Sequence, residues 1–260
     1  GEKDLELPEN VRIYLVSGTS HGRTQLKGGH PEEPGGDSGH YLPDNPNDQG
    51  LIEDPLFEKL ARWVVFGEQP PASSYPRVDR SELVAMEDFS HPEVPDAEPP
   101  VVVPLHPRFD WGPGFRQGIL DKPLPGIGVL YPVMVPEVDE DGNEVAGLRT
   151  PWVAVPLATY TGWNYPGHWL GVEKTPMSNL SGAWLPFCAD RRERLRCADS
   201  RRSVAERYKN REVYLARVRE YAEGLIARGL MFGEDMERLL RESLEMYDYV
   251  TASGAWEPEK

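Results

Sequence analysis

The chain carries six histidines, and one of them, His21, stands where an imidazole can do chemistry. It follows an apolar, β-branched run at residues 11–16, the pattern of a buried strand. It lies within a turn of small residues, Ser17-Gly18-Thr19-Ser20-His21-Gly22. The end of a strand is where open α/β sheets gather their ligands. An imidazole with an unperturbed pKa near ~6.5 takes up and returns a proton close to neutral pH. Gly18, Thr19 and Gly22 are the residues expected to position it, the glycines by letting backbone approach closely. On the residues alone, an ordinary loop histidine with no catalytic duty stays open beside this expectation.

Other constellations are weaker. His21, His30 and His40 share a loop with Glu32, Glu33 and Asp37, which is ligand chemistry for a divalent ion. Their spacing matches no short metal motif, so no metal site and no cofactor is expected. Gly36-Asp37-Ser38-Gly39 spells a short protease nucleophile motif, but too little chain separates it from His21 to build that fold. Asp139, Asp141 and Asn143 alternate like the start of a calcium loop, yet the glycine and distal glutamate that such a loop needs are misplaced. Tyr160, Trp163 and Asn164 belong to an aromatic stretch with Tyr165, Trp169 and Trp184, suited to line a substrate pocket or simply to pack. Arg191, Arg192, Arg194, Arg196, Arg201 and Arg202 are interleaved with acids and read as a solvated, salt-bridged surface.

The elements that must hold these residues divide unevenly along the chain. Residues 1–150 carry 27 acidic and 12 basic side chains, whereas residues 151–260 carry 16 of each. The overall charge of −15 repels phosphate backbones, which argues against nucleic acid as a partner. No apolar run approaches the ~20 residues of a membrane helix. Cys188 and Cys197 are too few for a disulfide scaffold, and bonded and free states are both open. Of 26 prolines, 22 lie at or before Pro156 and none between Pro186 and Pro258. The first part is therefore expected as loops and short elements, and the last part as helices.

Spacing predicts a helix over 54–66 with Leu56, Leu60, Trp63 and Val64 on one face and Gly67 as its stop. It predicts a hairpin joining 128–138 to 144–157 through the Asp-Gly turn at 139–143. A helix over 202–228 and another from about 234 to 250 should pack antiparallel. The expected divisions are 1–50 (last sheet strand and histidine loop), 51–157 (helix, proline-rich insert and β-hairpin), 158–200 (aromatic cover) and 201–260 (helical pair).

The run LPENVRIYLVSGTSHG at 7–22 resembles the last core strand and catalytic-histidine loop of a family of large bacterial α/β-hydrolase domain proteins. The resemblance continues through Leu42-Pro43, Asn45-Pro46, PPASSYP at 70–76, DGNE at 141–144, GLR at 147–149, VPLATYTGWN at 155–164 and ERY at 206–208. It implies an α/β fold, α/β-hydrolase-like, of which this chain is the C-terminal part. It implies that His21 is the general base of a Ser-His-acid triad acting on a small-molecule ester. In that fold the order is Ser, acid, His, so nucleophile and acid are expected before Gly1, on an N-terminal hydrolase portion that is the implied partner. No elbow is expected within the chain, which alone should not hydrolyse esters. A start at Gly1 without methionine fits a processed or truncated product, and compartment stays undetermined. The contrasting expectation is a non-catalytic binding or interaction module derived from the same fold.

Overall fold

A computed structural model of the chain describes residues 3–22, 39–100, 105–166 and 180–252. Where proline is absent the chain forms its longest C-terminal helices, α5 (Arg211–Ala227) and α6 (Met236–Thr251). They pack antiparallel, as the short link between them predicts, with Gly229 in the left-handed region at the turn. Tyr214, Val218, Ala222 and Leu225 of α5 are buried against Leu239, Met246 and Val250 of α6. The continuous helix expected over 202–228 is instead two. A four-residue α4 (Val204–Arg207) carries a Ser203/Glu206 capping box, and α5 restarts behind Asn210, whose side chain accepts from Val213 N at 3.0 Å. Between them Tyr208 turns inward and donates to Pro156 O at 2.9 Å, which the extended backbone at the break permits.

This helical pair buries a four-residue helix, α2 (Pro151–Ala154), whose Trp152 Nε1 donates to Ser243 Oγ at 2.8 Å. Next to it lies a buried antiparallel pair, β5 (Ala158–Tyr160) with β6 (Trp184–Pro186). Beyond the short helix α3 (Arg191–Cys197), Arg201, expected on a solvated surface, is only 3% exposed. Its guanidinium makes a double contact with Asp199 (Nε–Oδ1 3.0 Å, Nη2–Oδ2 2.7 Å). Nη1 donates to Thr159 Oγ1 and Leu185 O, both at 2.8 Å. A planar five-donor group met by this many acceptors can be buried charged. Arg207 does the same with Asp141, and both guanidinium groups lie against Phe187.

The proline-rich part wraps this body as short pieces. α1 (Gly50–Phe66) ends at Gly67 as expected, but its outer half is not buried: Leu60 is 49% and Val64 78% exposed, and the buried residues are Gly50, Leu51, Ile52 and Pro55. The turn at 139–143 forms, closed by Asp139 N to Asn143 O at 2.8 Å and a Val138–Glu144 bridge. Its flanks part at once, because each finds another partner. β1 (Leu83–Ala85) pairs with β4 (Met134–Pro136), and β2 (Pro107–Asp110) with β3 (Gly126–Leu130), while the downstream flank coils into α2. The β2–β3 arm stands away from the body, with all five residues of β3 exposed.

Residues 11–16 are extended but belong to no multistranded sheet among the described residues. Tyr14 bridges Ser74 and Val16 bridges Leu148, both in parallel sense. All those ladder bonds use Ile13, Leu15 and Ser17, the residues facing one edge. Tyr14 and Val16 pack on the core, while Ile13 on the opposite face is 40% exposed.

Candidate active site

The turn that carries His21 is held almost atom by atom. Ser17 is buried; its N–H donates to Leu148 O at 3.0 Å and its hydroxyl to Ala146 O at 2.5 Å. Gly18 adopts φ +61°, and a Cβ there would come within 3.1 Å of Tyr160 and 3.2 Å of Val153. The left-handed turn and the close packing both call for glycine at this position. Gly18 N donates to Glu144 Oε2 at 2.9 Å. Gly18 O accepts from Asn45 Nδ2 at 2.9 Å and Asn47 Nδ2 at 2.8 Å, and Asn47 Nδ2 also reaches Ser17 O at 3.1 Å. Thr19 Oγ1 closes back on Val16 O at 2.8 Å. Farther on, Ser20 Oγ accepts from Gly182 N at 3.0 Å, and His21 N donates to Leu180 O at 3.2 Å.

Beyond that frame the His21 side chain is exposed, with no side-chain hydrogen bond among the described residues. Gly18 and Thr19 are both tied into that frame by hydrogen bonds. Gly22 lies outside it: it is exposed and a Cβ there would meet nothing within 4 Å. The run Gly18–Gly22 also fits the five-residue spelling G-x-S-x-G of a nucleophile elbow, contrary to the expectation that the chain holds none. The geometry is not that of an elbow. The left-handed residue is Gly18 rather than Ser20, and the Ser20 hydroxyl is engaged with Gly182 N.

A cavity of about 250 Å³ opens beside this turn, walled in part by Phe89, His91, Pro99, Glu144, Tyr160 and Trp163. Glu144 belongs to both features, since it lines the cavity and holds Gly18. Burial pushes its carboxyl above the ordinary value of 4.5, against the Gly18 N–H and Arg149, which pull it down. His91 stacks edge-on against Trp163 with ring centroids 6.0 Å apart, and Nδ1 lies 2.9 Å from Pro92 O. A carbonyl only accepts, so Nδ1 carries the proton and Nε2 presents its lone pair. Nε2 is buried and has no partner among the described residues. Burial pushes the His91 pKa below 6.5, offset in part by the Pro92 carbonyl.

Of the expected lining residues, Tyr160 and Trp163 reach the cavity wall and Asn164 does not. Asn164 is buried, accepting from Leu42 N and Tyr165 N and donating to Leu42 O and Gly182 O. It ties together the chain segments around Leu42 and Gly182. Trp184 is likewise buried in the core. His40 lies 2.6 Å from Asp44 through Nδ1. His30, Glu32, Glu33, Asp37, Ser38 and Trp169 fall outside the described residues, and among those described no cluster of ligating side chains could hold a metal. Cys188 and Cys197 are both free thiols. No helix of the described residues is long and apolar enough to cross a membrane.

Sequence reasoning passed over Asn45, Asn47, Glu144 and His91. Asn45 and Glu144 sit inside blocks that carried the family resemblance, in Asn45-Pro46 and the 141–144 turn, and Asn47 directly follows the first of them. Nothing in the local pattern marks His91. Searches of curated proteins and of solved structures find no match for the chain. A family model does match, over residues 2–241, and by it the chain belongs to the alpha/beta hydrolase domain family.

Proposed function

We propose that the chain is the C-terminal part of a serine-type carboxylic-ester hydrolase and supplies its base, His21. The carrying observation is the contrast between a turn pinned through backbone at Ser17, Gly18 and His21 and an imidazole left exposed at its tip. Such a frame fixes the backbone from which the ring projects without using the ring nitrogens. The surroundings fit a chain that is covered by a further body. Along residues 11–16, the N–H and C=O of Tyr14 and the N–H of Val16 face the edge opposite Ser74 and Leu148, without a partner among the described residues. An open strand edge of this kind accepts another strand. On α1, Phe57, Val64, Val65 and Phe66 are 68–78% exposed, more contiguous apolar surface than a free helix usually shows.

In this reading the nucleophilic serine, the acid and the oxyanion donors come from an N-terminal portion, in the same precursor or on a separate chain. His21 takes the serine proton as the oxygen adds to the ester carbonyl. It returns that proton to the alkoxide oxygen as the C–O bond breaks, and the alcohol leaves. Water then repeats the sequence on the acyl-enzyme, with His21 as base, releasing the acid. Ser20 has no part, since its hydroxyl serves Gly182 N.

The test is fluorophosphonate labelling of the protein purified from its native source, with intact masses of every co-purifying chain. Expected is one label on a longer polypeptide or tightly bound partner, lost in His21→Ala and kept in Ser20→Ala. Label on no species leaves a non-catalytic binding module as the better account, and label on Ser20 overturns the assignment of roles.

A further inference from the structure

We propose that the cavity beside the histidine turn binds an uncharged, hydroxyl-bearing molecule the size of one substituted ring, whose hydroxyl hydrogen completes His91 Nε2. Three observations converge. The first is size: cavities of roughly 150 Å³ take benzene, so about 250 Å³ has room for a ring and a short substituent. The second is the wall, mainly apolar and aromatic, with Phe89, Pro99, Pro100 and Trp163 offering flat faces to a ring. The third is the polar inventory. Thr161 Oγ1 already donates to Trp163 O at 2.5 Å and accepts from Ala183 N at 2.9 Å. Glu144 Oε2 is taken by Gly18 N. His91 is fixed by Pro92 O in the tautomer that leaves Nε2 an acceptor, buried and without a partner among the described residues; the hydroxyl of Tyr160, another wall residue, is likewise buried without one.

A buried acceptor without a donor is destabilising, so a ligand that brings one is favoured over an apolar isostere. No lysine or arginine is among the described lining residues. The arginines whose charge reaches Glu144 and His91, Arg149 and Arg201, are paired with Asp139 and Asp199. Burial shifts both Glu144 and His91 towards their uncharged forms, so the described wall offers an anion no unpaired cation. The ligand's role rests on the hydrolase reading, in which this is the alcohol-side group of the ester, but its binding does not.

Benzyl alcohol, toluene and benzoate are the probes, titrated against the full chain by calorimetry or ligand-observed NMR. Expected is saturable binding of benzyl alcohol, about tenfold weaker binding of toluene, and none of benzoate. His91→Phe should bring benzyl alcohol and toluene to equal affinity, and Trp163→Ala should weaken both. No saturation by benzyl alcohol, equal affinity for toluene in the wild type, or an unchanged ratio in His91→Phe overturns the proposal. Should that variant misfold, the ¹⁵N shift of wild-type His91 Nε2 decides: movement on adding benzyl alcohol but not toluene supports the contact, and no movement refutes it. A chain that binds the alcohol but takes no fluorophosphonate loses only the hydrolase reading. A labelled chain that binds none of the probes loses only this one.

Discussion

Asn47 is the residue on which the histidine turn should depend most measurably. It is 1% exposed, its Nδ2 donates to Ser17 O and Gly18 O, and its Oδ1 accepts from Thr150 Oγ1 at 2.6 Å. Asn47→Leu keeps the branched side-chain shape and removes these three bonds. Gly18 O retains Asn45 Nδ2, so its loss is partial. Ser17 O loses this donor and the buried Thr150 hydroxyl its acceptor. At about 1–3 kcal/mol for each buried polar group stripped of its partner, the variant should lose roughly 2–6 kcal/mol. That is a large share of the ~5–15 kcal/mol typical of a domain. Urea unfolding should show a lower midpoint with an unchanged slope, and Gly18 amide exchange should rise more than that of α5. Adding Thr150→Val removes one stranded group, so the double variant should recover about 1 kcal/mol or more relative to additivity. A loss under about 1 kcal/mol at unchanged slope, or a strictly additive cycle, would refute the claim that this network holds the turn.

Arg201→Met should cost about 3–5 kcal/mol by leaving Asp199 buried without its cation, and Asp199→Leu in the same chain should restore part of it, both read by urea melts. Burial, with Asp199 next in weight, pushes the Cys188 thiol up to about 12, so at pH 8 a disulfide reagent should modify Cys197 at least a hundredfold faster; equal rates would contradict the packing around Cys188. His91, with its folded pKa below 6.5, binds its proton better when unfolded, so its contribution is present above about pH 6.5 and lost as pH falls through the lower folded value. His91→Gln should therefore flatten the stability profile on the acid side of pH 6.5, where wild type declines. On the β2–β3 arm, Ile127 and Val129 are each 78% exposed, so replacing both with lysine should change stability by under about 1 kcal/mol; a larger loss would mean the arm is packed.

Much of this protein can be read from local pattern, because local pattern is where short-range physics acts. Proline distribution separates a wrapped, irregular part from a helical one, since proline removes a backbone donor wherever it falls. The antiparallel α5–α6 pair, the stop at Gly67, the turn at 139–143 and the place of His21 past an extended run all follow from spacing and turn chemistry. What spacing could not supply is which surfaces meet. Val64 has the spacing of a core residue and lies open, while Arg201 has the look of a surface residue and lies buried, because each outcome depends on what packs opposite. The turn that holds His21 is built by Asn45, Asn47 and Glu144, the last of them more than 120 residues away in sequence. The cavity joins residues from 86 to 163. Hydrogen bonds and buried charges are satisfied by neighbours in space, and only the tertiary structure decides who those neighbours are.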